Sequence, residues 1–180
     1  MRKIITILAT LGFCTYAQAS CPDISGKYMC VEGLESIEEV EEIESDDYED
    51  GIEVKQRKDG NKEYIQLSEI DEEVDDYTDL EVGVKKEIRG DIEDSISMHI
   101  SSLATCSEDQ VHVELLMTSV DKETGEGESE KAEMHYSNYK DGLLVKMKSW
   151  EKEWSSENNE ESTPWEDADE DDLIFCKKIL

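Results

Sequence analysis

The chain has 180 residues, of which 48 are Asp or Glu and 18 are Lys or Arg, so its formal net charge is −30 at pH 7. A surface this acidic repels nucleic acid and anionic lipid, which excludes a nucleic-acid-binding protein and leaves cationic partners or divalent cations as compatible ligands. A solvated anionic shell without a specific partner is the simpler interpretation of the same charge.

Residues 1–19 have the three parts of a secretory signal peptide. Two basic residues come first, an apolar stretch Ile4–Phe13 follows, and Ala17 and Ala19 are small residues at the positions that a signal peptidase reads. We therefore expect cleavage after Ala19 and an exported protein, periplasmic or extracellular. The apolar stretch is too short to stay in a bilayer, and no later one is longer, so no stable membrane insertion is expected.

Cys14 offers the alternative of a lipidated protein, which the bulky Phe13 before it disfavours. Cleavage after Ala19 leaves four cysteines in residues 20–180, a single acidic domain: Cys21, Cys30, Cys106 and Cys176. An even number in an exported chain predicts two disulfides, and all three connectivities stay open. A four-cysteine zinc site is disfavoured because no two cysteines have the short spacing that such sites use.

The segment 34–50 interrupts the strand pattern. Leu34, Ile37, Val40 and Ile43 recur at every third position among glutamates, a spacing that suits neither a strand nor a tight α-helical stripe. We expect a short helix or an irregular acidic excursion here.

Two dipeptides, Asp59-Gly60 and Asp141-Gly142, predict tight hairpin turns because type I′ turns need positive φ at both central residues. The first turn sets Val54 opposite Ile65, and the second sets Tyr136 opposite Met147. Turns near 90–94, 107–110 and 124–127 continue the series, with the predicted pairs Ile88–Ile96, Ile100–Met117, Met117–Met134 and Leu115–Tyr136.

These registers place the apolar residues of successive strands on one face. The predicted strands are 26–33, 51–58, 61–68, 79–89, 94–105, 110–121, 130–140, 143–154 and 172–179. The sequence therefore predicts an all-β fold, an antiparallel up-and-down meander of about 8–9 strands that closes into a barrel and so removes exposed edges. A two-sheet β-sandwich is the alternative.

Residues 155–171, rich in Ser, Asn, Glu and Asp, predict a long exposed loop. Trp150, Trp154 and Trp165 gather around its start, and the even-numbered Trp150 and Trp154 point away from the apolar face. They are interpreted either as a partner-binding patch or as side chains that the loop covers, with Trp165 packing on Trp150.

The stretch Cys21-Pro22-Asp23-Ile24-Ser25-Gly26-Lys27-Tyr28 resembles the beginning of a lipocalin-like (calycin-type) barrel, in which a Gly-x-Trp motif opens the first strand. Gly26 matches the glycine and Tyr28 stands at the tryptophan position. Cys176 is similar to the cysteine with which that family ties its tail to the barrel wall. The resemblance implies a small exported barrel and a lumen able to hold a ligand.

No residue pattern points to catalysis. Carboxylates are too numerous to be informative, and no nucleophile elbow is present. The registers set His112 opposite Thr105, His99 opposite Thr118 and His135 opposite Leu116, so no histidine directly faces another and no metal site is predicted. The acidic runs at Asp46–Gly51 and Asp167–Asp171 both depart from the EF-hand pattern.

The sequence therefore favours a non-enzymatic binding protein without a cofactor, whose partner is a small hydrophobic molecule held in the barrel. The alternative is an acidic interaction or inhibitor protein of the cell envelope or exterior that docks a basic protein. Flexible methionines suit an adaptable apolar pocket, although they fill irregular cores equally well. The candidate lumen residues are Met98, Met117, Met134, Tyr136 and Met147.

Overall fold

The computed structural model describes residues 21–44, 47–48, 50–70, 78–93, 95–155, 163–168 and 172–179. The described chain forms eleven strands and a short 3₁₀ turn, Ile37–Glu41. The predicted signal peptide lies outside these residues, so its cleavage stays a prediction. The strands are β1 (Gly26–Leu34), β2 (Asp50–Asp59), β3 (Lys62–Glu69), β4 (Asp79–Glu81), β5 (Lys86–Glu93), β6 (Ile96–Cys106), β7 (Gln110–Asp121), β8 (Gly127–Tyr139), β9 (Gly142–Trp154), β10 (Glu166–Asp167) and β11 (Asp172–Ile179).

All the strands belong to one antiparallel sheet with the order β4-β3-β2-β1-β11-β9-β8-β7-β6-β5, and β10 pairs with the later half of β9. Successive strands pair from β1 to β4 and from β5 to β9, and β11, which pairs with both β9 and β1, joins these two runs. The remaining seam lies between β4 and β5, where the Gly83 amide donates to the Ala104 carbonyl at 2.8 Å. The barrel is thus nearly closed. The predicted all-β meander is confirmed, and the sandwich alternative is wrong because one sheet holds every described strand.

Inward-facing side chains pack most tightly at one end of the barrel, which we name the closed end. Ile24, Tyr28, Ile65 and Leu143 are almost completely buried there. The Tyr28 hydroxyl donates to the Ile24 carbonyl at 2.8 Å, so its polar group is satisfied inside the core. The same cluster also contains Cys30, Val54, Leu80, Ala104, Val111, Val113, Tyr136, Val145 and Cys176.

Two disulfides fasten the closed end. Cys21–Cys106 ties the chain before β1 to the end of β6, and Cys30–Cys176 joins directly opposed residues of β1 and β11. The prediction of two disulfides is confirmed, and the four-cysteine zinc alternative is wrong because every candidate ligand is bonded to another cysteine.

A second, smaller core lies outside the barrel. The chain leaves β1 at Leu34, forms the 3₁₀ turn and lays Val40 and Ile43 against Leu144 and Phe175, which point outward from β9 and β11. A 3₁₀ helix has three residues per turn, so side chains at every third position share one side. The predicted short helix is found in this tighter form. Of the four apolar residues at every third position, only Ile37 and Val40 lie within it, and Ile37 stays exposed.

Both predicted hairpin turns are displaced by one residue. Asp59 pairs with Lys62, so the first turn consists of Gly60 and Asn61. Tyr139 pairs with Gly142, so the second consists of Lys140 and Asp141, and Lys140 takes the positive φ of 52°. Gly142 is inside β9, where a Cβ would lie 2.2 Å from the Cys176 carbonyl oxygen. This glycine permits the approach of β11 rather than the turn.

Several predicted registers are consequently wrong, by two or four residues. Val54 pairs with Leu67 instead of Ile65, Tyr136 with Val145 instead of Met147, Met117 with Glu130 instead of Met134, Leu115 with Ala132 instead of Tyr136, and Ile88 with Ile100 instead of Ile96. The β7–β8 turn is longer than predicted because the Asp121 carboxylate accepts from the Glu123 and Thr124 amides and Gly125 takes positive φ. Even shifts keep every side chain on its predicted face.

The predicted long loop 155–171 lies partly outside the described residues. Its described part includes β10, which returns to β9. The acidic run Asp46–Gly51 is also only partly described, and its Asp50 and Gly51 belong to β2. Among the described residues, no helix has the length and apolar character needed to cross a membrane.

Candidate functional site

The five candidate lumen residues all lie on the inward face, but they divide into two groups. Tyr136 is buried in the closed end, and its hydroxyl donates to the Met134 sulfur at 3.4 Å, so these two side chains fill the core. Met147, opposite Met134, is half-buried. Met98 and Met117 lie farther along the strands, and Met117 is 38% exposed. Met98, Met117 and Met147 each line an open cavity.

The strands β6 and β7 form an apolar wall beyond the closed end. Ile100 pairs with Met117 across the two strands, and Met98 is two residues before Ile100 on the same face. Ile96, two residues before Met98 on β6, and Leu115, two residues before Met117 on β7, also face inward and extend this wall toward its two ends. Apolar side chains on a concave and partly open surface provide contact area for an alkyl or aromatic group.

The neighbouring strands β8 and β9 form an acidic wall at the same level. Glu130 is directly opposite Glu151, and Glu128 is directly opposite Glu153. All four are exposed. Like charges directly opposed in a sheet destabilise it, so a bound cation would relieve a repulsion that the free protein carries.

The two walls meet in continuous cross-strand rows. One row runs from Ile100 through Met117 and Glu130 to Glu151, so apolar and acidic side chains are immediate neighbours. The next row contains Met98, Ser119, Glu128 and Glu153, and the Ser119 hydroxyl donates to Glu128 at 3.0 Å. We name this surface the distal concave face; its members are Ile96, Met98, Ile100, Leu115, Met117, Glu128, Glu130, Glu151 and Glu153.

An open cavity of about 590 Å³ adjoins the distal concave face at the rim of the barrel. Ile96, Asp121, Glu126, Glu128 and Glu153 are among its lining residues. The cavity adds two further carboxylates to the acidic wall. No lysine or arginine faces inward on β6–β9, all of which lie in the described part of the chain. The combination suits a ligand with an apolar portion and a positive charge.

The histidines lie on the outward face. His112 pairs with Thr105 and His99 with Thr118, as predicted, but His135 pairs with His112 instead of Leu116. The prediction that no histidine directly faces another is therefore wrong. The cause of this error is the predicted β7–β8 register, which was wrong by four residues. It separated His112 from His135 along the strands but left both on the correct face.

The tryptophans are also outside the barrel wall. Trp154 is 8% exposed and donates from its indole nitrogen to the Gly125 carbonyl at 3.2 Å, so it serves the β7–β8 turn. Trp165 lies against the Lys152 ammonium at 4.6 Å and keeps 39% of its surface exposed. Trp150 carries the Lys131 ammonium over its ring at 4.6 Å. Lysine side chains lie over these rings, and the described part of the loop returns to β9, where Asp167 pairs with Trp150.

No protein-family model, curated protein or solved structure matches this chain. The acidic wall was missed in the sequence, although its signal was present: 128 and 130 share the parity of Met134, and 151 and 153 share the parity of Met147. These four glutamates are among the 48 acidic residues of the chain, and for that reason their inward positions did not stand out.

Proposed function

We propose that the protein is an exported, non-enzymatic, lipocalin-like binding protein that holds a cationic amphiphile on its distal concave face. The observation that carries this proposal is the direct adjacency of an apolar wall on β6–β7 and a wall of opposed glutamates on β8–β9. The apolar wall accounts for a hydrophobic portion of the ligand, and the acidic wall accounts for its positive charge.

Three further features support this assignment. Two disulfides are typical of a protein that works in an oxidising compartment outside the cytoplasm. The last strand is tied to the first through Cys30–Cys176, as the resemblance to lipocalin-like barrels implies for the C-terminal segment. Lys178, on the same last strand, also lies against the first, with its ammonium 5.7 Å from the centre of the Tyr28 ring. The tightly packed closed end leaves ligand binding to the other half of the barrel.

The test compares three amphiphiles with alkyl chains of nearly equal length, each below its micelle concentration, by isothermal titration calorimetry. We expect dodecyltrimethylammonium to bind, and the neutral dodecyl maltoside and the anionic dodecanoate to bind far more weakly. Higher salt should weaken the interaction, because exposed charges are screened. Equal binding of all three molecules would remove the role of the acidic wall.

Two substitutions separate the walls. Glu130→Gln with Glu151→Gln should lower the affinity for dodecyltrimethylammonium roughly tenfold, about 1.4 kcal/mol for two partly exposed charges. Met117→Thr should weaken binding through lost apolar contact, and the exposure of Met117 makes it a mild change for the fold. Glu35→Gln with Glu38→Gln removes the same charge from an exposed segment elsewhere and is the matched control. If this control weakens binding as much, the attraction is a property of the net charge.

A basic segment of a protein partner is the second candidate ligand. From Leu115 to Asp121 the distal concave face extends for roughly 20 Å, which accommodates about thirteen residues of helix. An amphipathic peptide of lysine and leucine, titrated under the same conditions, tests this directly. Tighter binding of the peptide than of the single-chain amphiphile, with the same loss in the Glu130/Glu151 variant, would favour the protein partner.

A further inference from the structure

His112 and His135 form a direct cross-strand pair on the outward face of β7 and β8. Their rings are stacked, with centroids 4.3 Å apart and an interplanar angle of 8°. Both side chains are half-buried. The stack keeps a nitrogen of each imidazole close to the other ring, and the two rings would have to turn for these in-plane nitrogen atoms to converge on one ligand.

A carboxylate completes the group. Glu133 precedes His135 by two residues and therefore lies on the same face of β8. One ligand atom each from His112, Glu133 and His135 lies within 4.8 Å of the others. The Lys131 ammonium donates a hydrogen bond to one oxygen of the Glu133 carboxylate.

The imidazole of His112 has an unsatisfied nitrogen. Its Nε2 is buried and has no hydrogen-bond partner, whereas buried polar atoms in folded proteins are nearly always paired. Simple stacking of two rings explains the contact between the histidines but leaves this nitrogen unexplained. A ligand that accepts the nitrogen lone pair would satisfy it. The Nε2 of His99 is likewise buried without a hydrogen-bond partner, so the closeness of His112, Glu133 and His135 carries the assignment.

We propose that His112, His135 and Glu133 form a binding site for a divalent transition-metal ion of the zinc and copper type. Zinc and copper ions bind well to two imidazole nitrogens and one carboxylate oxygen. Ca²⁺ and Mg²⁺ instead prefer sites in which every ligand is an oxygen atom. Three protein ligands leave a fourth position for water or another small ligand.

Binding requires a modest rearrangement of these side chains. Metal–ligand distances of about 2.0–2.2 Å draw the three ligand atoms closer together than they are in the free protein. Lys131 holds one oxygen of Glu133, so the other oxygen is the one available to the ion. Lys146, opposite His135, and Lys148, opposite Glu133, add positive charge beside the site, and Glu114, opposite Glu133 on β7, offsets part of it.

The site is independent of the distal concave face. His112, Glu133 and His135 point outward, and the glutamates of the acidic wall point inward, so the two sites lie on opposite surfaces of the same sheet. Failure of one proposal therefore leaves the other unaffected.

The experiment uses the disulfide-intact protein after treatment with a chelator. Zn²⁺ binding is measured by calorimetry in a large molar excess of Ca²⁺, which occupies the many exposed carboxylates. Cu²⁺ binding is measured by quenching of tryptophan fluorescence, because Trp150 contacts Lys131, which in turn holds Glu133. We expect one tight site in each measurement.

The variants His112→Gln and His135→Gln should each lower the affinity for Zn²⁺ roughly tenfold or more, and Glu133→Gln should have a similar effect. His99→Gln is the matched control, since His99 lies on the same outward face but pairs with Thr118. Thermal unfolding without metal verifies that each variant is folded. Unchanged Zn²⁺ affinity in His112→Gln, an equal loss in His99→Gln, or displacement of Zn²⁺ by the excess Ca²⁺ would each overturn the proposal.

Discussion

At the scale of a single residue, Tyr136 shows how the closed end treats a polar group. The side chain is 6% exposed, and the acceptor of its hydroxyl is the Met134 sulfur. Burial raises the pKa of the Tyr136 phenol to about 12, because a phenolate would lose its hydration among apolar neighbours. The hydroxyl group is therefore held in its neutral form.

This environment predicts a loss of stability in alkali. The phenol titrates near 10 in the unfolded chain and about 12 in the folded one, so the folded state binds more protons between these values. The free energy of unfolding should fall by up to about 3 kcal/mol as the pH rises through that window. Denaturant unfolding of the native protein and of Tyr136→Phe, measured across the window, isolates this contribution.

At neutral pH the two proteins should have nearly equal stability, because a hydrogen bond to a thioether is weak and phenylalanine preserves the shape of the side chain. Above pH 10 the Tyr136→Phe protein should become the more stable of the two. Parallel stability curves for both proteins would show that another group governs the alkaline transition.

At the scale of the strands, the backbone of β11 lies directly over Gly142 of β9. A Cβ at this position would be 2.2 Å from the Cys176 carbonyl oxygen, a backbone atom that moves only if β11 moves. Gly90, in β5, is also a strand glycine, but a Cβ there meets nothing within 4 Å. The two glycines therefore differ in what they permit.

Gly142→Ala should lower the free energy of unfolding by about 2–3 kcal/mol or more, since the clash displaces the strand that closes the barrel. Gly90→Ala should be neutral or slightly stabilising, because alanine restricts the unfolded chain. Urea unfolding of both variants makes the comparison. Equal effects of the two changes would mean that β11 adapts to the extra carbon without cost.

The strands were predictable to the extent that alternation governs them. Alternation places Met134 and Tyr136 on the inward face whatever the register, which is why the fold was correct although several pairings were wrong. Register depends on turn details that dipeptides conceal. Gly142 was assigned to a turn, whereas its closest contact is the carbonyl of Cys176, 34 residues away along the chain.

The candidate sites depend on register and were therefore harder to predict. Facing histidines appear only when His112 and His135 are paired correctly, and a shift of four residues hides the pair. The opposed glutamates, such as Glu128 and Glu153, likewise need the β8–β9 register. The period of three in residues 34–43 was visible in the sequence, but only Ile37 and Val40 of its four apolar residues lie in the 3₁₀ turn.

At the scale of the whole molecule, the two disulfides enclose long loops. Cys21 and Cys106 are 85 residues apart, and Cys30 and Cys176 are 146 residues apart. A cross-link stabilises a fold mainly by limiting the unfolded chain, and the benefit grows slowly with loop length. Both bonds should therefore make similar contributions.

Replacing Cys30 and Cys176 by serine, or Cys21 and Cys106 by serine, should each lower the free energy of unfolding by about 4.5 kcal/mol. The two losses should be nearly equal, because the loops overlap and the bond that remains shortens the longer one. Urea unfolding of the oxidised proteins measures both values. A loss below about 1 kcal/mol for either pair would show that the unfolded chain is already compact around that bond.

The pairing of β11 with β1 has a consequence for the time at which the barrel forms. During synthesis, β1 can pair with β2 early, but its other partner, β11, is made last. Closure of the barrel is therefore a late event and cannot proceed strand by strand from the N-terminus. Pairing between distant segments is slow, and an open sheet with free edges is prone to associate with other copies. The charge of −30 repels such copies from one another, and so the acidity protects the chain during the interval before its two ends meet.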